Sequence, residues 1–334
     1  MHIMDKISTS NQEGRSRITR LVVFLAGPLL VLSVPLWTSN PYILRIMIIL
    51  FIYSIMAVSL NLIMGLTGLL SISHAAFFGI GAYTSALLSL RIGLSFWLCL
   101  PAAAIVSALF ALMIGFPVLR LKGHYLALAT LAFNEMVKLV IYNWDGLTRG
   151  ASGLPNIPPP KIFSFQFTSQ LSYYYLTFFF LLFTVAFIGR IFYSDLGRAL
   201  RSLREDEVIS QALGIEVMQY KVLAFLIGGL FAGLAGSLYA HYNTFISAQI
   251  TDVFESVLII VMVFIGGAGS ILGSLAGAVL VILLPEVLRG LEAYRMLIFG
   301  SILILVMMFY PHGLLGKIGP PIEHALFSPL RRLT

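Results

Sequence analysis

Long apolar stretches separated by short polar segments dominate the chain. A helix needs about 20 apolar residues to cross the hydrocarbon core of a bilayer. Ten stretches approach that length, and each predicts a span: residues 21–37, 43–64, 74–90, 95–116, 125–141, 171–192, 222–242, 253–265, 270–288 and 291–310. The polar exit of the first stretch, WTSNP, offers no small-residue cleavage site, so we expect a retained span and no signal peptide. The pattern predicts an all-α, polytopic membrane helix bundle.

Composition and charge support this class. The chain is 59% hydrophobic and 10% charged, whereas a soluble domain carries about 25% charged residues. A net charge of +7 could suggest nucleic acid, but the basic residues are scattered over the loop ends, as residues that set membrane topology are. We therefore expect contact with membrane lipid and no nucleic-acid partner.

The basic residues also predict an orientation. Ten spans place both termini on one side, and that side receives fourteen of the 21 Lys and Arg residues. This bias predicts cytoplasmic termini. We expect a cytoplasmic N-terminal segment (residues 1–20), one transmembrane domain (21–315) and a cytoplasmic tail (316–334). The long outer loop, residues 143–172, is either a connector or a docking or lid surface.

The most polar stretch, residues 194–221, separates the sixth and seventh spans. Leu196, Leu200 and Leu203 share one helical face, whereas Val208 and Ile209 lie on the opposite face. We therefore predict two short helices that bend near residue 206, each with its apolar face in a groove of a partner; a solvated connector is the alternative. The charged and turn residues assigned to this coupling surface are Arg198, Arg201, Arg204, Glu205, Asp206, Glu207 and Gly214.

Two glycine-rich turns interrupt the spans. The first glycine break is residues 65–68 (GLTG), and the second is residues 266–269 (GGAG). Transporter sites often lie at broken helices within repeats, so the two breaks suggest an internal repeat. An inverted repeat would require them on opposite sides, whereas the predicted spans put both in the cytoplasm. Polar residues beside the first break are expected to serve packing or helix entry, or to line the pathway: Asn61, Ser71, Ser73 and His74.

Charged residues inside a span are costly and suggest function. Glu135 and Lys138 lie three residues apart in the fifth span, so they share a helix face and can pair. A neutralising structural pair and a polar element of the pathway are both open. The residues assigned to the pathway are Asn61, Gly65, Gly68, Ser71, Ser73, His74, Glu135, Lys138, Gly266, Gly267 and Gly269.

The sequence contains no zinc-protease motif, Cys/His metal cluster or nucleophile elbow. We expect no catalytic residue, metal or cofactor on this chain. The phosphate-binding motif G-x-x-x-x-G-K-[ST] is also absent. If ATP drives transport, another subunit must hydrolyse it.

Several segments together resemble a known family: NLIMGLTGLLSISHAAFFGIGAY, GFPVLRLKGHYLALATLAFNEMVKL, LTRGASGLPNIP, GRALRSLREDEVISQALGIEV, KVLAFLIGGLFAGLAGSLYA, VMVFIGGAGSILG and FYPHGLLG. They are similar to permeases of high-affinity branched-chain amino acid ABC transporters. The resemblance implies a bundle like that of the vitamin B12 and ribose importers, in a bacterial inner membrane. It also implies a second permease, two ATPases that use ATP and Mg²⁺, and a periplasmic substrate-binding protein.

The resemblance further implies that residues 194–221 dock on the ATPase. In the general docking motif Glu-Ala-Ala precedes a glycine, whereas here Glu207-Val208-Ile209 precedes Gly214 with shifted spacing. We expect one permease of a pathway for leucine, isoleucine and valine. The alternatives are a urea or short-chain amide permease, an ion-coupled transporter that uses Glu135 and Lys138, and a channel-like or structural subunit.

Overall fold

The computed structural model describes residues 30–38, 40–162, 165–310 and 313–316. Residues 30–37 are helical, and most of the first predicted span lies outside the described residues. The further helices are α1 (Pro41–Asn61), α2 (His74–Leu87), α3 (Phe96–Val118), α4 (His124–Asn143), α5 (Asp145–Thr148), α6 (Gln170–Phe192), α7 (Asp195–Glu205), α8 (Glu207–Ala212), α9 (Val217–Asn243), α10 (Val253–Gly266), α11 (Ile271–Val287) and α12 (Arg295–Phe309).

Polar residues begin many of these helices as the capping rules require. Asn40 accepts a hydrogen bond from the amide of Tyr42, and Pro41 occupies the first turn of α1, where its missing N–H costs nothing. Ser194, Asp206 and Asp252 cap α7, α8 and α10 in the same way. Each cap satisfies an amide that has no partner inside its helix.

The all-helical, polytopic membrane class is confirmed. Within the described residues, seven helices are long and apolar enough to cross a bilayer, and two shorter apolar helices accompany them. α4, predicted as a short span, has 20 residues. α10 has only 14 residues, about 21 Å at 1.5 Å per residue, which is shorter than a bilayer core. The total of ten spans and the side on which the termini lie stay predictions.

Small residues let the helices around α9 pack closely, as their four-residue spacing indicates. A Cβ on Gly233 would lie 2.4 Å from the Cβ of Ser107 on α3, and one on Gly81 of α2 would lie 2.3 Å from the backbone of Gly233. On α11, a Cβ on Gly277 would lie 1.9 Å from the carbonyl oxygen of Met262 on α10. α2, α3 and α9 therefore form one tight group, and α10 and α11 form another.

The two glycine breaks lie at the same end of the bundle, which we call the glycine end and which also carries α7 and α8. From the first break, residues 67–73 lead inward to the start of α2, and we call this segment the first inward connection. α2 then runs to the opposite end of the bundle. There Arg91 donates to the carbonyl oxygen of Leu147, so that end, called the loop end, carries residues 143–172.

A second inward connection, residues 244–252, enters from the loop end. It leads from α9 to the start of α10, which runs to the glycine end. α3 packs on α2 and α9 as α11 packs on α10 and α1. The two inward connections therefore enter the bundle from opposite ends, as the halves of an inverted repeat do, whereas the two glycine breaks lie at the same end.

The polar stretch forms α7 and α8, and the predicted bend at Asp206 is confirmed. Gly214 has φ +83° just after α8, the conformation that ends helices at glycine. The prediction that α7 offers its apolar face to a partner is wrong, because Leu200 and Leu203 are buried within this chain. α8 does expose its apolar face: Val208 and Leu213 are 69% and 74% exposed.

The outer loop is anchored along its length. Its described part contains α5, a 3-10 turn and a short hairpin of β1 (Lys161–Ile162) and β2 (Phe165–Gln166). Leu154 pairs with Ile246 through two backbone hydrogen bonds, and the amide of Ile157 donates to the carbonyl oxygen of Thr244. This loop therefore covers the start of the second inward connection.

Candidate functional site

The two glycine breaks contact each other through Asn61. The Asn61 side chain accepts a hydrogen bond from the amide of Gly269 and donates one to the carbonyl oxygen of Ser270, both at 2.8 Å. Asn61 is buried, and Gly65 lies so close that an added Cβ would be 2.0 Å from its Oδ1 and 2.5 Å from the amide nitrogen of Gly269. Asn61 therefore joins the end of α1 to the second glycine break, and its assignment to the pathway stays a prediction.

Backbone geometry explains the glycines of both breaks. α1 widens into a π-helix over Leu62–Leu66, a form that occurs often at functional sites. Gly68, Gly267 and Gly269 then adopt φ of +72°, +117° and +95°, values at which a side chain is strained. Gly266 packs directly on the backbone of Gly273.

Arg204 joins α7 to this junction. Its Nη1 donates to the carbonyl oxygen of Gly65 at 2.7 Å and lies 3.4 Å from the position of a Cβ on Gly269. An arginine bound to a backbone carbonyl at a helix break is a charge-assisted contact, stronger than a neutral hydrogen bond. Arg204 therefore links α7 to the first glycine break and lies against the second.

α8 is joined to the bundle by an ion pair. Lys221 on α9 is almost fully buried, and its Nζ lies 2.5 Å from the Glu207 carboxylate. The Asp206 carboxylate accepts from the amides of Val208 and Ile209, so it holds the bend between the two helices. α8 is thus fixed to a membrane helix while its apolar face stays open.

The remaining residues assigned to the coupling surface serve α7. Arg201 donates to the carbonyl oxygen of Phe192 at 2.6 Å, and Arg198 pairs with Asp195 one turn away. Glu205 is the last residue of α7 and is exposed. Arg201 and Arg204 therefore bind the chain's own backbone, and their assignment to the coupling surface stays a prediction.

The two inward connections meet on α4. The amide of Ile72 donates to the Thr130 hydroxyl at 3.0 Å, and Asn134, one turn further, donates to the carbonyl oxygen of Thr251 at 2.9 Å. Ser256 bridges the starts of α2 and α10, since it accepts from the amide of Ala75 and donates to Asn134. Asn134 is the eleventh of the 20 residues of α4, which places this central polar junction at mid-span.

Three of the four polar residues predicted beside the first break, Ser71, Ser73 and His74, lie in or beside the central junction. Ser71 and Ser73 bond to each other at 3.0 Å, and His74 begins α2 with its Nε2 2.8 Å from the Ser59 hydroxyl. All four are fully buried. The structure thus separates the pathway candidates: Asn61 and the glycines lie at the glycine end, and the serines and His74 lie at the centre.

Glu135 and Lys138 lie apart from both groups. The Lys138 Nζ is 3.9 Å from Glu135 but 3.1 Å from Asp252, so its closer partner is the residue that begins α10. The two side chains are partly exposed, at 37% and 29%. The predicted pair exists, and its main contact fixes the second inward connection to α4.

Glu255 is the functional candidate that the sequence did not reveal. Its proximity to the predicted end of the eighth span suggests an interfacial position, and this interpretation is wrong. Its carboxylate accepts a hydrogen bond of 2.7 Å from the Tyr53 hydroxyl, and Tyr53 lies halfway along the span Pro41–Leu66. Both residues line a cavity of about 390 Å³ with Asn243 and Ser247.

Sequence reasoning also missed Ser59, Thr130, Asn134, Thr251 and Ser256. A signal was available, because buried polar residues in apolar helices are expected to find partners on other helices. Asn134 is the neighbour of Glu135 and lies on a different helical face. The sequence interpretation chose the face with Glu135 because that residue is charged, whereas the side-chain amide of Asn134 forms the central junction.

Apolar spans around a polar centre at broken helices are typical of membrane transporters. The family model described as the permease component of branched-chain amino acid transport systems matches residues 42–307. The chain belongs to this family. It is a transmembrane transport subunit and not an enzyme.

Individual relatives agree with this assignment. The chain is 37% identical over 295 residues to the high-affinity branched-chain amino acid transport system permease protein LivM of Salmonella typhimurium. The aligned residues cover 81% of this chain and 69% of that protein. LivM of Escherichia coli is 36% identical over the same shares. LivH of Salmonella typhimurium is 26% identical, over 81% of this chain and 92% of that protein. No solved structure gave a significant match.

Proposed function

We propose that this chain is one permease of an ATP-driven importer of leucine, isoleucine and valine in a bacterial inner membrane. The greater identity to LivM than to LivH supports a position beside a second, LivH-like permease. Two ATPase subunits and a periplasmic binding protein complete the proposed assembly. ATP and Mg²⁺ belong to the ATPases in this proposal, because the chain has no phosphate-binding motif.

The observation that carries the mechanism is the bond from Arg204 to Gly65. We place α7 and α8 in the cytoplasm with both termini, and the exposed apolar face of α8 in a groove of the ATPase. Closure of the ATPases would push α8. The push would reach α9 through the ion pair of Glu207 with Lys221, and it would reach both glycine breaks through α7 and Arg204.

The break at residues 65–68 is continuous with the inward connection that ends at His74. Displacement of Gly65 would therefore pull on Ser71 and Ser73 and so on the central junction. Packed interfaces of this kind switch between discrete arrangements and do not deform smoothly. Alternating access would result when the two inverted halves rock against each other.

Co-purification tests the assembly. A tagged chain, solubilised from the membrane of its host, should bring one second permease and two ATPase subunits. In proteoliposomes with the binding protein, leucine uptake should require ATP, and isoleucine and valine should compete where urea does not. Gradient-driven uptake by the chain alone would instead support the ion-coupled alternative with Glu135 and Lys138. Competition by urea would support the amide alternative.

A further inference from the structure

Glu255 differs from the other carboxylates on or beside the spans. Glu135 and Asp252 lie near Lys138, and Glu286 is 3.6 Å from Arg289. Among the described residues, no lysine, arginine or histidine forms an ion pair with Glu255, which accepts a hydrogen bond from the Tyr53 hydroxyl. A carboxylate at membrane depth without a cation is costly and points to a functional site.

The cavity around Glu255 opens toward the loop end. Asn243 ends α9 at that end, and Ser247 lies in the inward connection that follows; both line the cavity. Tyr53 and Glu255 form its deep wall at mid-span. A volume of about 390 Å³ falls within the range of small-molecule sites.

The lining provides two kinds of surface. Phe78, Tyr239 and Phe245 contribute aromatic rings, and Ile246 and Ile250 contribute aliphatic surface. Aromatic faces attract cations, and they do so more strongly where water is excluded. Beside an unpaired carboxylate, they form a setting for an ammonium group attached to an apolar side chain.

We propose that this cavity binds the α-ammonium group of a substrate amino acid on Glu255, with its branched side chain against the aromatic and aliphatic wall. The inference deepens the proposed function, on which it rests for the identity of the amino acid. The substrate would supply the cation that Glu255 lacks, and it would bind beside Ser256, the next residue of α10 and a member of the central junction.

Thiol labelling tests the site on the purified assembly in phosphatidylcholine nanodiscs. Cys99 is the chain's single cysteine, so Cys99→Ala with Ser247→Cys gives one reporter at the cavity. L-leucine at about ten times its dissociation constant should slow labelling ~10-fold by mass action. Leucinol keeps the ammonium group and should protect as well. 4-Methylpentanoate, which is leucine without the ammonium group, should not protect.

Glu255→Gln in the same background should weaken protection by leucine at least about 10-fold, because loss of one partner of a charge pair costs that much or more. Glu286→Gln, a carboxylate outside the cavity, should leave protection unchanged. Protection by 4-methylpentanoate equal to that by leucine would overturn the proposal, as would full protection in Glu255→Gln or no protection by leucine up to its solubility limit.

Lipid is a second source of ammonium groups, from the ethanolamine headgroup. Labelling that slows in phosphatidylethanolamine nanodiscs more than with leucine would assign the cavity to lipid and overturn the proposal. The readout needs no ATP hydrolysis, so it is independent of whether the chain is driven by ATPases. Failure of protection in an assembly that still contains both ATPases would refute the cavity site alone.

Discussion

The two inward connections both lead from an end of the bundle to the start of a buried helix, but one is tightly packed and the other borders a cavity. Residues 67–73 enter from the glycine end, and Leu69, Ser71 and Ser73 are buried there. The break that precedes them accepts the hydrogen bond from Arg204 at Gly65. Residues 244–252 enter from the loop end, and here the packing opens into the cavity with Glu255. One connection is closed and lies beside α7, and the other opens into a cavity whose carboxylate has no ion-pair partner among the described residues.

This difference suggests a division of work within one inverted arrangement. In the proposed mechanism the closed connection receives displacement, because the first glycine break at its start contacts the backbone of the second. In the proposed mechanism the open connection receives a ligand, because it offers space and a carboxylate without an ion-pair partner among the described residues. Thr130 and Asn134, one turn apart on α4, each hold one of the two connections.

Gly65→Ala should lower the thermal stability most, because it places a methyl group in the tightly packed break before the closed connection. The added Cβ would lie 2.0 Å from Asn61 and 2.5 Å from the backbone of Gly269, and backbone cannot rotate away. Overpacking costs about 1–3 kcal/mol, and we expect the upper end. Thermal unfolding in detergent, followed by fluorescence-detected size exclusion, measures this loss.

Gly146→Ala is the matched control, because a Cβ there would meet nothing within 4 Å. Its unfolding temperature should equal that of the wild type. If Gly65→Ala is as stable as Gly146→Ala, the glycine breaks do not pack as described.

Gly79→Ala should lower the thermal stability less, because its added methyl group meets a side chain of the open connection and not backbone. Its Cβ would lie 1.9 Å from the Cγ2 methyl of Thr251, and Thr251 can adjust its rotamer at a cost of about 1 kcal/mol. Thr251→Ser removes that methyl and keeps the hydroxyl. The double variant should therefore recover the thermal stability that Gly79→Ala loses, and absence of rescue would contradict the placement of Thr251.

Local features of this fold follow from the sequence. The bend at Asp206 is predictable because the apolar residues change face there and aspartate is a good N-cap. The glycine breaks are predictable because runs of glycine end helices. Four-residue spacing of glycines predicts close helix packing, as at Gly229 and Gly233.

Contacts between distant parts of the chain are not predictable in this way. Arg204 reads as a surface charge on an amphipathic helix, and its bond to Gly65 joins residues 139 positions apart. Glu255 reads as interfacial because hydropathy cannot show that residues 244–252 turn inward. The depth of α10, and with it the cavity, depends on that turn.

Transfer of force through Arg204 is the central claim, and the number of ATP molecules hydrolysed per leucine transported tests it most directly. In the reconstituted importer, Arg204→Ala should raise this ratio roughly 10-fold, since a hydrogen bond from a charged group contributes about 1.5–3 kcal/mol. Lys122→Ala, which removes an exposed cation between α3 and α4, should leave the ratio at the wild-type value. An unchanged ratio in Arg204→Ala, with the ATPases still bound, would contradict the account.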